Sequence, residues 1–387
     1  MRERGKIVLL HFVGQMPMAG IAWQAANYLA ALKKLGWEAW YVEDHGTNPY
    51  DPRCDSVVMD CAYNVGFLRA AMERCGLGDR WAYWDAIRDA WHGMSRERVR
   101  ALYGEADALI NLCGAARLGA EHMRCPVRII IDTDPIYEQI RYAKADPASR
   151  AYIDAHTHFF TYGANLGSDR CTIPLSGIDW RPTRPPVDLD RWPAAEGAGH
   201  CFTTIATWEN KGKNIEFAGD TYLWSKHANF LKFLDVPRCR SDTCFAAAMT
   251  PPDEAVRRDI EGAGWRLLDA RPISADMASY QDFIARSRGE FTVAKDIYVR
   301  PNSGWFSDRS VCYLASGRPV VTMRTGFTSY CPVGAGLFDY ETHDEALAAI
   351  DAIAADYPRH SRVAREIAGD VFDGDRVVGG LLAEAGL

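Results

Sequence analysis

KIVLLHFVGQMPMAGIAWQAANYLAALKKLGWEAWYV, residues 6–42, decides the fold class. Residues 6–13, KIVLLHFV, form an apolar run of strand length. GQMPMAG then turns the chain. Ile21, Ala25, Tyr28, Leu32 and Leu35 recur at alternating spacings of four and three, which puts them on one helix face. Gly36 follows where a helix end favours glycine. Residues 37–42, WEAWYV, read as a second strand. Strand, helix and strand joined by short turns make a right-handed βαβ unit, and so a parallel sheet.

The same alternation runs through the chain. DALINL (107–112), VRIII (127–131) and HFFTY (158–162) are further strands, and the pattern makes 67–105 mostly helical. IPLSGIDWRPTRPPVDLDRWP (173–193) carries five prolines. Such a segment is extended and cannot pair centrally in a sheet, so it reads as a linker. Beyond it, strands are expected at 201–207, 265–269, 290–294 and 319–323. Helices are expected at 221–235, 253–263, 276–287, 307–317, 343–356 and 358–371. The expected fold is α/β: two doubly wound Rossmann-like domains facing a central cleft. The first covers 1–180, the linker 181–199 and the second 200–370, with a tail at 371–387. Ligands of such sheets bind outside the carboxyl ends of the strands, where strand order reverses.

Composition narrows the function. The net charge of −7 over 387 residues gives no support for a nucleic-acid partner. No apolar run reaches the roughly 18 residues of an integral membrane segment. The charged start, Met1 to Gly5, leads into a run too short for a secretory signal, so the expected compartment is the cytoplasm. The eleven cysteines include no C-x-x-C pair, the nearest two being Cys239 and Cys244. They are expected to be reduced and mostly buried, with no metal centre.

The C-terminal half carries a family resemblance. SRGEFTVAKDIYVRPNSGWFSDRSVCYLASGRPVVTMRTGF (287–327) and GAGLFDYETHDEALAAIDAI (334–353) resemble the nucleotide-sugar-binding domain of GT-B glycosyltransferases, of the group 1 (family 4-like) kind. LASGRPVVT (314–322) and GLFDY (336–340) match its helix end and strand end. IPLSGID (173–179) resembles the family's interdomain segment, and the N-terminal HFVGQMPMAGIAWQAANYLAALKKLGWEAWYVED resembles its first βαβ unit. The chain departs from the pattern at the family's paired glutamates. With Gly317 aligned to their glycine, those positions are Gly304 and Cys312.

The resemblance implies a glycosyltransferase taking a nucleotide-diphosphate sugar, such as a UDP-sugar, and passing the sugar to an unknown acceptor hydroxyl. It implies no cofactor and no metal, and a tail that packs back on the N-terminal domain. A nucleotide-sugar 2-epimerase and a non-catalytic nucleotide-sugar-binding relative are the alternatives. The oligomeric state stays open.

Glycosyl transfer requires the departing diphosphate to be neutralised, and basic side chains with a helix N-terminus can do this. The candidates for donor binding are Lys211 and Lys213 after the first C-terminal strand, and Lys295 and Arg300 after the 290–294 strand. The turn NSGWFSD and the following helix add Ser303, Gly304, Ser307, Asp308 and Arg309. Gly14 in the first turn is a further candidate for close approach to ligand. A strand-end carboxylate can act as general base, which singles out Asp132; Asp44 and His45 hold the corresponding place after the second strand. Asp134 before Pro135 reads instead as a helix cap. His11 reads as a core histidine. His156 and His158 lack a third partner for a metal. Ser225, Lys226 and His227 fall on the expected 221–235 helix, with Trp224 there as packing.

Overall fold

Strand β1 (Lys6–Leu10) is apolar on both faces after its first residue, Lys6, because both faces are covered. Ile7 and Leu9 pack under the helix Ala19–Lys34, while Val8 and Leu10 pack against Val99, Leu102 and Tyr103 of the helix Arg96–Glu105. A parallel sheet buried on both sides produces such unbroken apolar strands. The computed structural model describes residues 4–210, 212–250 and 253–387. After β1 come β2 (Glu38–Glu43), a short ribbon of β3 (Tyr50–Asp51) and β4 (Ser56–Val57), then β5 (Trp81–Asp85), β6 (Ala90–Gly93), β7 (Ala108–Leu112), β8 (Val127–Asp132), β9 (His158–Thr161) and β10 (Trp180–Pro182). The first sheet has the order β10-β9-β8-β7-β1-β2-β5-β6, parallel except for the antiparallel edge strand β6. Its order reverses between β1 and β7.

The second half holds β11 (Cys201–Ile205), a hairpin of β12 (Ile215–Phe217) and β13 (Asp220–Tyr222), then β14 (Cys244–Ala248), β15 (Arg266–Leu268), β16 (Gly289–Thr292), β17 (Val320–Met323) and β18 (Leu337–Tyr340). The sheet order is β15-β14-β11-β16-β17-β18, all parallel, reversing between β11 and β16. The chain is thus α/β with two doubly wound sheets.

The proline-rich segment is pinned along its length. Thr183 N–H bonds the Thr161 carbonyl at 2.8 Å, Val187 N–H that of Phe372 at 2.8 Å, and Ala195 N–H that of Ser316 at 3.0 Å. Trp192 is fully buried against Trp23, with ring centroids 4.5 Å apart. The last helix, Gly374–Glu384, lies along the helix Ala19–Lys34: Val378, Leu381 and Leu382 share one apolar core with Leu32. The halves also meet through Ile136, Ile140 and Leu166 against Tyr222, Trp224 and Ile297.

Three sequence expectations need correction. The 67–105 region contains the β5–β6 hairpin, because Trp81 and Tyr83 supply aromatic strand formers that bury near the sheet edge. The 221–235 helix is reduced to His227–Lys232, since Tyr222 and Trp224 turn into the interdomain core. The cysteines are not all reduced. Cys201 and Cys244 form a disulfide because β11 and β14 set them side by side in parallel register, though 43 residues separate them in sequence. Sequence spacing carries no sign of such a pairing.

Candidate active site

The carboxyl ends of both sheets open on one cavity of about 470 Å³. His45 enters from the end of β2, Cys113 and Gly114 from β7, Asp132 and Asp134 from β8, and Lys213 and Trp224 from the second half.

Asp132 is the last residue of β8. One carboxylate oxygen accepts from Gln139 Nε2 at 2.7 Å and from Thr161 Oγ1 at 3.1 Å. Burial, reinforced by Asp134 and opposed by the Gln139 hydrogen bond, pushes its carboxyl up to about 7. Asp134 has the opposite fate. Burial alone would raise it, but Lys295 Nζ at 2.8 Å and the Tyr298 hydroxyl hold it below the usual carboxylate range. Asp134 therefore bridges the domains and does not cap the next helix. That helix, Tyr137–Ala143, begins at Ile136, a buried β-branched residue at φ +89° whose N–H bonds Gln139 Oε1 at 2.6 Å. A left-handed β-branched residue is costly, and such strain gathers at functional loops.

The cationic side is organised around Trp224. Lys295 Nζ sits 3.8 Å from its ring centroid and Lys213 Nζ 4.7 Å, and both charges act on Asp134. Lys226, two residues on, is half-buried, and no hydrogen-bond partner for its ammonium occurs among the described residues. Burial pushes its pKa well down, as do Arg309 and Lys295, with Glu290 and Asp134 opposing. Sequence reading placed Lys226 on a helix without a role. The insertion of β12 and β13 between β11 and this lysine hides its strand-end position.

The other candidates fall in several places. Lys211 lies outside the described residues. Arg309 is mostly buried and clamps the two strands flanking the second switch point. Its guanidinium donates to Glu290 Oε1 at 2.5 Å and Thr292 Oγ1 at 2.9 Å on β16, and to the Ile205 carbonyl of β11 at 2.6 Å. Arg300 does not line the cavity; it bonds the Thr221 carbonyl at 2.6 Å and Asp220 at 2.5 Å on the hairpin. Ser303 Oγ donates to the Tyr298 carbonyl at 2.9 Å, and Gly304 N–H to that of Thr325 at 2.6 Å. Gly304 has φ +81°, and a Cβ there would meet Asn165 N at 2.8 Å, so the glycine permits close packing of the domains. Ser307 is the buried N-cap of the helix Asp308–Ala315.

Asp308 faces the first domain. It accepts from Gln24 Nε2 at 3.0 Å and the Tyr162 hydroxyl at 3.2 Å, and burial pushes its carboxyl up to about 7. Gly14 and Gln15 turn their N–H groups onto the buried Glu43 carboxylate, at 2.5 and 2.9 Å. A Cβ on Gly14 would meet the Tyr83 ring at 2.9 Å. Asp44 is tied away from the cavity by Tyr103 at 2.7 Å and His122 at 3.3 Å. His45 is held through Nδ1 by the Thr47 hydroxyl at 2.6 Å, while its buried Nε2 faces the Glu43 carboxylate at 3.8 Å without a hydrogen bond. His11 is buried against Gln24 at 3.0 Å, and burial pushes its pKa down to about 3. His156 is held by Asn111 at 3.0 Å; together with half-buried His158 it forms no metal-holding group among the described residues.

No family model and no curated protein sequence matches the chain. Solved structures do resemble it. An alpha-glucosyltransferase in complex with UDP and a 13-mer DNA containing a HMU base superposes with a TM-score of 0.60, at 9% identity over 99% of this chain and 100% of that one. Anabaena Alr3699/HepE in complex with UDP and glucose gives 0.58, at 12% identity over 98% and 100%. Two doubly wound sheets and full-length superposition on these structures establish that the chain has the GT-B fold.

Proposed function

We propose that the chain transfers a glycosyl group from a nucleoside-diphosphate sugar to an acceptor hydroxyl, without a metal ion in the cleft. One observation carries the reading: Lys213 lines the cavity and Lys295, paired with Asp134, flanks the same Trp224 ring, opposite an Asp132 carboxyl poised near neutrality, with Lys226 two residues beyond that tryptophan. Both structural neighbours are UDP complexes, one of them of an alpha-glucosyltransferase, which supports a nucleotide-sugar donor.

In this mechanism the diphosphate lies against the lysines. As the glycosidic C–O bond breaks, negative charge grows on the leaving phosphate. Ammonium groups already held by the protein then stabilise it without reorganisation. Lys226 suits this task because an anionic diphosphate beside it would favour the charged form that burial disfavours in the free protein. Asp132, in its ionised form, takes the acceptor's hydroxyl proton, and Gln139 and Thr161 fix its carboxylate plane.

A thermal-shift screen with UDP, GDP, ADP, TDP and CDP tests the donor side. A ligand of the native state adds about 2.7 kcal/mol at a hundredfold excess over its dissociation constant. One diphosphate should stabilise the chain and its nucleoside should not. Chelator-treated protein should keep both binding and turnover. No response to any diphosphate, or activity lost with chelator and restored by manganese, would refute the proposal.

A further inference from the structure

At the opposite end of the second sheet from the cleft, the amino ends of β11 and β14 border a second pocket of about 590 Å³. His200, Asp242, Cys244, Arg266 and Arg288 are among its lining residues. The Cys201–Cys244 disulfide closes one side. His200 directly precedes Cys201 and is exposed; one of its ring nitrogens and both sulfurs all lie within 4.8 Å of one another. No hydrogen bond holds the His200 ring among the described residues.

We propose that this cluster is a redox-gated zinc site. With the disulfide reduced, the Cys201 and Cys244 thiolates and the His200 imidazole hold one zinc ion, and water supplies the fourth ligand. Two thiolates and an imidazole suit zinc, which takes tetrahedral sulfur and nitrogen ligands. At a zinc–sulfur length of about 2.3 Å, two bound sulfurs stand roughly 3.8 Å apart. The backbone positions are already set for this. Adjacent parallel strands fix the two Cα atoms 4.4 Å apart, so side-chain rotation alone can separate the freed sulfurs. Arg266 and Arg288 favour the thiolate forms. The neutral sum of a dication and two thiolates suits a pocket already lined by cations.

The chemistry balances with a dithiol as reductant. It delivers two electrons and two protons to the S–S bond and leaves as its own disulfide. The chain gains two thiols, and zinc then displaces both of their protons to solvent. The other thiol cluster, Cys61 with Asp85 and His92, is less suited, because Asp85 is already occupied by Arg88 and two backbone amides.

The test uses the full chain, reduced with a phosphine and stripped of metal. It is titrated with cobalt(II) as a spectroscopic stand-in, and the cobalt is then displaced by zinc. A single cobalt ion should bind, with a thiolate-to-cobalt charge-transfer band that zinc abolishes. The oxidised chain, which needs no substitution and so serves as the folding control, should show no band. The double variant Cys201→Ser/Cys244→Ser should also lack it. His200→Ala should keep the band but bind at least roughly tenfold more weakly, by analogy with the loss that even outer ligands cause. Absence of the band in the reduced chain, or its survival in the double variant, overturns the proposal.

Discussion

At the scale of single residues, Lys226 and Arg300 separate two ways of holding a diphosphate. Arg300 is spent on Asp220 and the Thr221 carbonyl, whereas no hydrogen-bond partner for the Lys226 ammonium occurs among the described residues. Lys226→Ala should weaken nucleoside diphosphate binding by about 1.5–3 kcal/mol, the worth of a hydrogen bond to a charged group, and leave nucleoside binding unchanged. Arg300→Ala should leave both unchanged. Calorimetric titration of the two ligands decides it, and the reverse pattern would return the phosphate site to Arg300. Asp132 makes a second residue-level prediction. A base must be ionised to act, and burial pushes this carboxyl up to about 7. Transfer should therefore rise with pH through about 7 and level off above it. Asp132→Asn should lower turnover by about 10²–10⁴ with donor affinity intact. A flat pH–rate profile would remove Asp132 from the mechanism. Sequence alone names Arg300 and Asp132 as candidates but gives Lys226 no role. The distinction between a spent cation and a free one depends on partners that lie far away in the chain.

At the scale of elements, the turn after β1 shows how one buried acid can shape a loop. Glu43 lies on the neighbouring strand and receives the Gly14 and Gln15 amides together with the Tyr41 hydroxyl at 2.5 Å. Glu43→Ala should cost about 1–3 kcal/mol, because it strands buried donors. It should also speed amide exchange at Gly14 and Gln15 before it affects β1 itself. Unchanged exchange there would show that the loop is held by packing. The parallel core strands were legible because each is a short apolar run beside a helical period. The elements that escaped have weaker patterns. In β5 and β6 the aromatic residues mimic a helix face, and β14 is a run of small residues, CFAAA, with no β-branched signal. The hairpin β12–β13 interrupts a stretch whose apolar spacing is otherwise helical.

At the scale of the whole molecule, the interface between the halves contains protons. Asp308 of the second half is held by Gln24 and Tyr162 of the first, with its carboxyl pushed up to about 7 against 3.8 for an unburied carboxyl. Between these values the native chain binds a proton that the unfolded chain releases. Stability from this group is thus full below about 3.8 and is lost as pH rises through about 7. Asp132 acts in the same direction. The urea midpoint of the wild type should fall between about pH 5 and pH 8 beyond the change seen in Asp308→Asn, in which only the Asp132 contribution persists. Equal changes in both proteins would show that Asp308 is ionised throughout.

The returning tail has a consequence for recombination. The helix Gly374–Glu384 follows the second half in sequence but is cemented to the helix Ala19–Lys34 of the first. A chimera that imports a foreign second half by one junction in the proline-rich segment would also import a foreign tail and set it against Leu32 and Leu35. Exchange therefore calls for two junctions, one before Cys201 and one near Asp373, so that each half keeps the helix it was built around.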